Sequence, residues 1–434
     1  MSTTNPTAIG GDGCLPASTG DAISASGISA STNHTTQRTA QQLTRIWQEL
    51  LGVDAIASDQ NYFDLGGDSS LAVHLFVRIE NEFGVKLPLA TLFEAPTIEE
   101  QARVLEERKA EMQAAVESTA TASMPATTST TSTTTTAATI TPTVSGASSG
   151  WSPLVTIQAP DEAPGARPAF FCMHGAGGNV LIYRDLAKNL GADQPFYGLQ
   201  AQGLDGTSAP LTTIEAMAGL YAKEIRRAQA HGPYYLGGYC MGGTLAYEVA
   251  RQLKNEGEEI ALLALFDTMD WSKVKLPGPA GRLYHQGERI VFHVANFFRL
   301  DGDGKRKFFS EKVEALRNRL PVWRGMLMAE FGSGAAQERV LGAIWQANDK
   351  ACLVYTPQPF AGELADFRPM KQYRMFDLPG GKWERLAQGG ARVVELPVYP
   401  AGMLVEPFVK HLATALRTAI DGAMAKAAAR RTNS

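Results

Sequence analysis

The decapeptide LGGYCMGGTL, Leu236 to Leu245, constrains this chain more than any other stretch. An apolar run from Pro233 to Leu236 enters a Gly-x-Cys-x-Gly turn, and a helix-compatible run from Met241 to Leu253 leaves it. Strand, sharp turn and helix in that order lift one side chain clear of the end of a sheet. Glycines flank the centre because so tight a turn leaves no room for Cβ atoms on either side. A chain with this element needs a sheet for the strand to join and helices to cover it. The side chain presented is the thiol of Cys240, where a turn of this kind normally carries serine.

A length of 434 residues predicts two or three domains, and a 44% apolar share supports at least one large core. The 40 basic and 44 acidic residues, net charge −4, are spread without blocks, which argues against a nucleic-acid or anionic-membrane partner. Cys14, Cys172, Cys240 and Cys352 lie far apart with no CxxC pair, and the histidines are dispersed. They read as reduced cytosolic thiols, with neither a disulfide framework nor a metal site, and predict a cytoplasmic protein. No signal peptide is legible at the start, and no run approaches the roughly 18 apolar residues of a membrane span.

In chain order, residues 1–36 are too poor in apolar side chains to fold and predict a disordered tail. Residues 37–110 predict a small four-helix domain. Leu43, Ile46, Trp47, Leu50 and Leu51 recur at helical spacing, as do Ala72, Leu75, Phe76, Ile79 and Phe83, and Thr97 with Glu100 forms a capping box. Residues 111–150, rich in Thr, Ser and Ala, predict a tether with a coil dimension of about 30 to 35 Å. Residues 151–431 predict an α/β domain. Strand-like runs at Ala169–Met173, Phe196–Leu199, Tyr234–Leu236, Ile260–Phe266 and Arg392–Leu396 alternate with amphipathic helical runs, as in a parallel sheet covered on both faces. A helical insertion over about 271–345, with Leu283, Ile290, Val291, Val294, Phe297 and Phe298, predicts a lid over the strand ends.

From Ile46 through YFDLGGDSSLAVHLFVRIENEFGVKLPLATLFEAPTIEEQA the first domain resembles the acyl or peptidyl carrier domains of nonribosomal peptide and polyketide synthases. The resemblance implies that Ser69 receives a covalent phosphopantetheine, delivered by a phosphopantetheinyl transferase, whose thiol carries an acyl group. A serine at a helix start suits this, because helix-start amides favour a phosphate, although an N-cap role alone would also place a serine there. The stretches FFCMHGAGGNVLIYRDLAKNLGADQPFYGLQAQGLDG, GPYYLGGYCMGGTLAYEVARQLKNEGEEIALLALFDT and LPVYPAGMLVEPFVKHLATAL resemble the type I thioesterases of the same assembly lines, which have the α/β-hydrolase fold. This resemblance puts Cys240 on the nucleophile, Asp267 on the triad carboxylate, and the amides of Ala176 and Met241 on the oxyanion donors.

The chain departs from that family at the third triad position. The family pattern Val-Pro-Gly-Asp-His-x-x-Met-Leu meets Leu396-Pro397-Val398-Tyr399-Pro400-Ala401-Gly402-Met403-Leu404, so Pro400 stands where the histidine belongs, and proline takes no proton. Among the other histidines, His174 opens the oxyanion loop, His285 and His293 fall in the lid, His231 ends a helix, His411 lies on the closing helix, and His34 and His74 belong to the tail and carrier. A thiol of ordinary pKa about 8.5 at a helix start is expected to be partly ionised and to accept an acyl group without help. Release to water needs a base, whereas release to an amine or second thiol needs much less. The leading expectation is acyl or aminoacyl transfer in nonribosomal peptide or polyketide biosynthesis, from a thioester on Ser69 through acyl-Cys240, with synthase modules and carrier domains as partners. Two alternatives remain: hydrolytic or cyclising release with an unrecognised base, and a pseudo-enzyme that docks carriers. Asp267 is then left to brace its loop, for instance through Tyr399.

Overall fold

The computed structural model describes residues 26–67, 69–121, 151–159, 167–270, 302, 305, 336–370, 383–398 and 402–432. The first unit packs α1 (Ser26–Leu51), α2 (Ser69–Phe83), α3 (Thr91–Glu94) and α4 (Ile98–Thr121) around one apolar cluster. Leu43, Ile46 and Trp47 of α1 meet Ala72, Leu75, Phe76 and Ile79 of α2 in that cluster. The Trp47 indole donates to the Gln101 side chain at 3.3 Å, and Gln101 donates on to the Ala95 carbonyl at 3.2 Å, so the buried amide is partnered on both sides.

Two boundaries differ from the sequence reading. α1 begins at Ser26, inside the stretch expected to stay unfolded. Once the apolar stripe from Leu43 to Leu51 has nucleated the helix, extending it toward its N-terminus costs little per residue. α4 continues to Thr121, into the expected tether, through Glu111, Met112, Gln113, Ala114 and Ala115, which are strong helix formers. The rest of the tail and tether lies outside the described residues.

The capping box forms at the start of α4. The Thr97 amide donates to Glu100 Oε2 at 3.1 Å, and the Glu100 amide donates to the Thr97 hydroxyl at 3.3 Å. Thr97→Ala is expected to cost the first unit about 1 kcal/mol. Hydrogen exchange of the first-turn amides of α4 in the whole protein checks this, and unchanged protection would refute it.

The second unit is a seven-stranded sheet of order β1-β3-β2-β4-β5-β6-β7. Its strands are β1 (Leu154–Gln158), β2 (Phe170–Met173), β3 (Phe196–Leu199), β4 (Tyr234–Tyr239), β5 (Ile260–Phe266), β6 (Leu364–Pro369) and β7 (Ala391–Leu396). All neighbours are parallel except β1, which runs antiparallel to β3 at the edge. α5 (Arg184–Leu190) and α9 (Val409–Thr432) cover one face; α6 (Ile214–Ala228) and α7 (Met241–Asn255) cover the other. Period-two alternation divides β2 between the two cores: Phe170 and Cys172 pack under α5 and α9, Phe171 and Met173 under α6 and α7.

α8 (Ala336–Val354) lies between β5 and β6 in sequence. It overlaps the end of the expected lid at Trp345, and almost all of the rest of that insertion lies outside the described residues. No described helix is long and apolar enough to cross a membrane.

Candidate active site

The segment around Cys240 folds as the glycines require. β4 ends at Tyr239, α7 begins at Met241, and Cys240 between them has φ 55° and ψ −117°, a left-handed conformation that costs an L-residue on the order of 1–3 kcal/mol. The surroundings hold it there. The Cys240 amide donates to the Phe266 carbonyl at 2.9 Å, and the Gly243 amide donates to the Cys240 carbonyl at 3.1 Å. Gly238 and Gly242 touch across the turn, so that a Cβ on Gly238 would overlap the Gly242 backbone, and one on Gly242 would overlap the Met173 carbonyl. The Tyr183 hydroxyl, buried behind the turn, donates to the Met173 carbonyl at 2.5 Å and accepts from the Tyr239 amide at 3.0 Å. One phenol thereby ties the ends of β2 and β4 together.

The thiol is not ionised by its place at the helix start, contrary to the sequence expectation. Burial is the largest influence on Cys240, the carboxylates of Asp267 and Asp349 add to it, and only the Met241 amide pulls the other way; the thiol pKa is pushed up to about 11. At pH 7 the thiolate fraction is then on the order of 10⁻⁴. The helix-start amide favours the anion, but two acids and a low-dielectric site outweigh it.

Asp267 follows β5 and is itself left-handed, with φ 44°. Its amide donates to the Phe367 carbonyl at 2.9 Å, and the residue is 6% exposed. Its Oδ1 is buried without a hydrogen-bond partner among the described residues. Burial, with the nearby Asp366 carboxylate, raises its pKa to about 6. Asp366 lies on β6 and is held by Arg368 at 2.8 Å. A triad carboxylate would meet an imidazole at such an oxygen, and among the described residues Asp267 Oδ1 meets none. Tyr399 and Pro400 lie outside the described residues.

The described histidines do not supply that imidazole. His174 is fully buried, its Nδ1 2.7 Å from the Gly175 carbonyl and its Nε2 2.6 Å from the Tyr221 hydroxyl, and burial lowers its pKa to about 4. Both ring nitrogens are engaged in holding the loop to α6. His231 is exposed beside Glu258, His411 lies on the exposed side of α9, and His74 is on α2 of the first unit. His285 and His293 are outside the described residues, as is the side chain of His34.

Ala176 lies in the loop after β2, and α8 packs directly on that loop. Asn348, 1% exposed, donates to the Ala176 carbonyl at 2.9 Å. A Cβ on Gly178, where φ is 80°, would overlap Ile344, and one on Gly177 would touch Trp345. Asn348 therefore fixes the peptide that carries the Ala176 carbonyl, and Met241, as the first residue of α7, has no acceptor for its amide within the helix. Sequence reasoning missed Tyr183, Asn348, Asp349 and Asp366. Ile344, Asn348, Ala351, Cys352 and Tyr355 recur at helical spacing, a legible signal for a buried helix face. Cys352, on that face, is buried, and its thiol is pushed up to about 12, mainly by burial.

In the first unit Ser69 opens α2 after a tight turn in which Gly67 lies against the Tyr62 ring, too close for any Cβ. A phosphate-bearing group fits the N-terminus of a helix of this length, whose first amides lack internal acceptors. Among the described residues no group of three His, Cys, Asp or Glu side chains is placed to hold a metal ion.

Comparison with known proteins agrees with this architecture. Residues 41–105 match the phosphopantetheine attachment site family, and residues 168–278 match the thioesterase domain family. The chain is 35% identical to malpibaldin synthetase of Mortierella alpina over 233 residues, covering 54% of this chain and 4% of that protein. It is 34% identical to a dimodular nonribosomal peptide synthase of Bacillus subtilis (strain 168) over 232 residues, covering 53% of this chain and 8% of that protein. Chondramide synthase cmdD of Chondromyces crocatus is 26% identical over 400 residues, covering 88% of this chain and 9% of that protein. The chain thus spans less than a tenth of each of these relatives. The two family matches support a carrier–thioesterase didomain and indicate a covalently attached phosphopantetheine.

Proposed function

We propose that this chain moves an acyl or aminoacyl group through Cys240 in nonribosomal peptide biosynthesis, receiving it from a thioester borne on Ser69 or on the carrier of another synthase module. The observation that carries the proposal is the strained, half-buried Cys240 beside a buried carboxylate, Asp267, whose Oδ1 meets no described partner. The phosphopantetheine on Ser69, once bound, supplies a thiol that holds the acyl group as a thioester. The amides of Met241 and Ala176 are the donors for the oxyanion of the tetrahedral adduct, and losing one such donor typically costs about 3 kcal/mol. Exchange onto Cys240 is proton-neutral: an S–C bond forms at Sγ, the pantetheine S–C bond breaks, and the Cys240 proton ends on the departing sulfur. Hydrolysis balances as well, with a C–O bond formed, the Cys240 S–C bond broken and water's proton ending on the departing sulfur. Water, however, is a weaker nucleophile than a thiol or amine and depends more on a positioned base, and no described imidazole meets Asp267. Acyl-Cys240 is therefore long-lived and discharges to thiols or amines faster than to water.

The test is peptide mass mapping after acyl loading of the pantetheinylated protein. The acyl group is expected on the Cys240 peptide, and its complete loss from that peptide in Cys240→Ala, with the group retained on Ser69, supports the nucleophile. Rapid free-acid release without an added thiol or amine refutes the transferase reading. The raised thiol pKa also favours a second reading, a carrier-docking domain without turnover.

Alkylation separates the two. With the thiol near 11, the rate of Cys240 carbamidomethylation by iodoacetamide is expected to climb about tenfold per pH unit between pH 8 and 10. Cys172 and Cys352, both buried, stay unmodified in the folded protein. A plateau near pH 7 would show an ion-paired thiolate instead, and a Cys240 as inert as Cys172 favours the docking reading.

A further inference from the structure

The carrier does not merely hang near the α/β domain; its turn before Ser69 is seated on a defined patch. Leu181, in the short 3-10 turn Leu181–Tyr183 after the Ala176 loop, is 5% exposed because it packs into the carrier's own apolar cluster. In the reverse direction, Ala90 and Phe93 of the carrier pack against the core under α5 and α9. Arg184, the first residue of α5, lies over the Phe63 ring at 4.2 Å from its centroid. Its guanidinium also reaches the Asp64 carboxylate at 3.4 Å, while Asp185 holds its other side at 3.2 Å. Lys86 of the carrier lies against Gly206, where a Cβ would meet its ammonium.

Together these contacts have the form of a recognition site. A guanidinium over an aromatic ring with a carboxylate at its edge reads both groups at once, and is worth more than an exposed ion pair alone. The patch also adjoins the chemistry. Tyr183, next to Arg184 in the chain, ties the Met173 carbonyl to the Tyr239 amide just before Cys240, and the loop bearing Ala176 runs straight into Leu181.

We propose that Leu181 and Arg184 form the carrier-docking site of the α/β domain, and that it recognises an aromatic residue followed by an aspartate, Phe63-Asp64 here, in the turn that precedes the pantetheine-bearing serine. The proposal rests on the acyl-transfer reading for its purpose but not for its geometry. A carrier from another module that presents the same aromatic–acid pair is a partner of the fitting chemistry. Carrier and α/β domain belong to one chain, which raises the effective concentration of one for the other, so this surface has only to select an orientation.

The experiment uses the whole chain in two measurements. Small-angle scattering reads docking alone: Arg184→Glu and Asp64→Arg are each expected to enlarge the radius of gyration, and the swap Arg184→Asp with Asp64→Arg to restore compactness. Peptide mass mapping reads transfer: Arg184→Glu is expected to slow loading of Cys240 from Ser69 about tenfold while leaving loading from a free acyl-pantetheine thioester unchanged. Equal scattering for wild type and single variants, or equal loss with both acyl sources, overturns the docking site. If Cys240 takes no acyl group from either source while scattering responds as stated, the docking site stands and the transfer reading falls.

Discussion

Replacing Pro400 with histidine is expected to raise free-acid release from acyl-Cys240 by about 10²–10⁴-fold, the usual contribution of a positioned general base. The reason lies in the described residues on either side of the segment around Pro400 and in Asp267. Val398 on one side and Met403 and Leu404 on the other are buried in the core under α5 and α9, so the ends of the segment are fixed. Asp267 holds a buried Oδ1 that no described donor meets, which is where an imidazole N–H is needed to set the tautomer and support a positive ring. Cys240 is held protonated, so a base beside it would change both capture and release of the acyl group. Single-turnover reaction with an acyl-pantetheine thioester measures the effect as free acid formed over time. Adding Asp267→Asn to the histidine variant is expected to remove most of the gain. An unchanged release rate, with acyl-Cys240 still forming, would show that this position does not face the thiol.

The parts of the fold that were legible from sequence are those in which one physical demand dominates. Phe196–Leu199 and Ile260–Phe266 are central strands buried on both faces, and their apolar runs mark their ends. The turn at Cys240 announced itself because a left-handed centre and a close helix start leave only glycine at Gly238 and Gly242. β1 was missed because an antiparallel edge strand is half exposed, with a mixed pattern. β6 was missed because LADFRP carries a buried Asp366, an Arg368 that pairs with its Oδ2 and a terminal proline, a polar pairing that no apolar periodicity reveals.

The candidate site was half legible for a related reason. The covalent roles proposed for Ser69 and Cys240 would leave local marks, and both residues stand in short, glycine-bounded motifs. Electrostatic roles do not. The direction in which Cys240 titrates depends on burial and on Asp349, which lies more than a hundred residues away in the chain and comes near only when α8 packs on the Ala176 loop. Helix-start reasoning considered one favourable contact and missed the larger opposing sum.

Asp267→Asn tests that sum, because a working triad and an unpartnered acid predict opposite outcomes. In a triad, losing the carboxylate weakens the nucleophile. Here the Asp267 charge raises the thiol pKa, so the asparagine variant is expected to alkylate several-fold faster at pH 8. Stability moves in the same sense. The folded-state pKa of Asp267 is raised to about 6 from an ordinary 3.8, so the folded protein binds the proton more tightly than the unfolded chain. The carboxyl therefore costs nothing below about pH 3.8, and its penalty grows as pH rises through 6, reaching about 3 kcal/mol above that range. Asp267→Asn, which keeps the shape and removes the charge, should raise the melting temperature by several degrees at pH 8 and by little at pH 4. Slower alkylation together with a lower melting temperature at pH 8 would mean that Asp267 is paired with a cationic or donating group, and that the site holds a base after all.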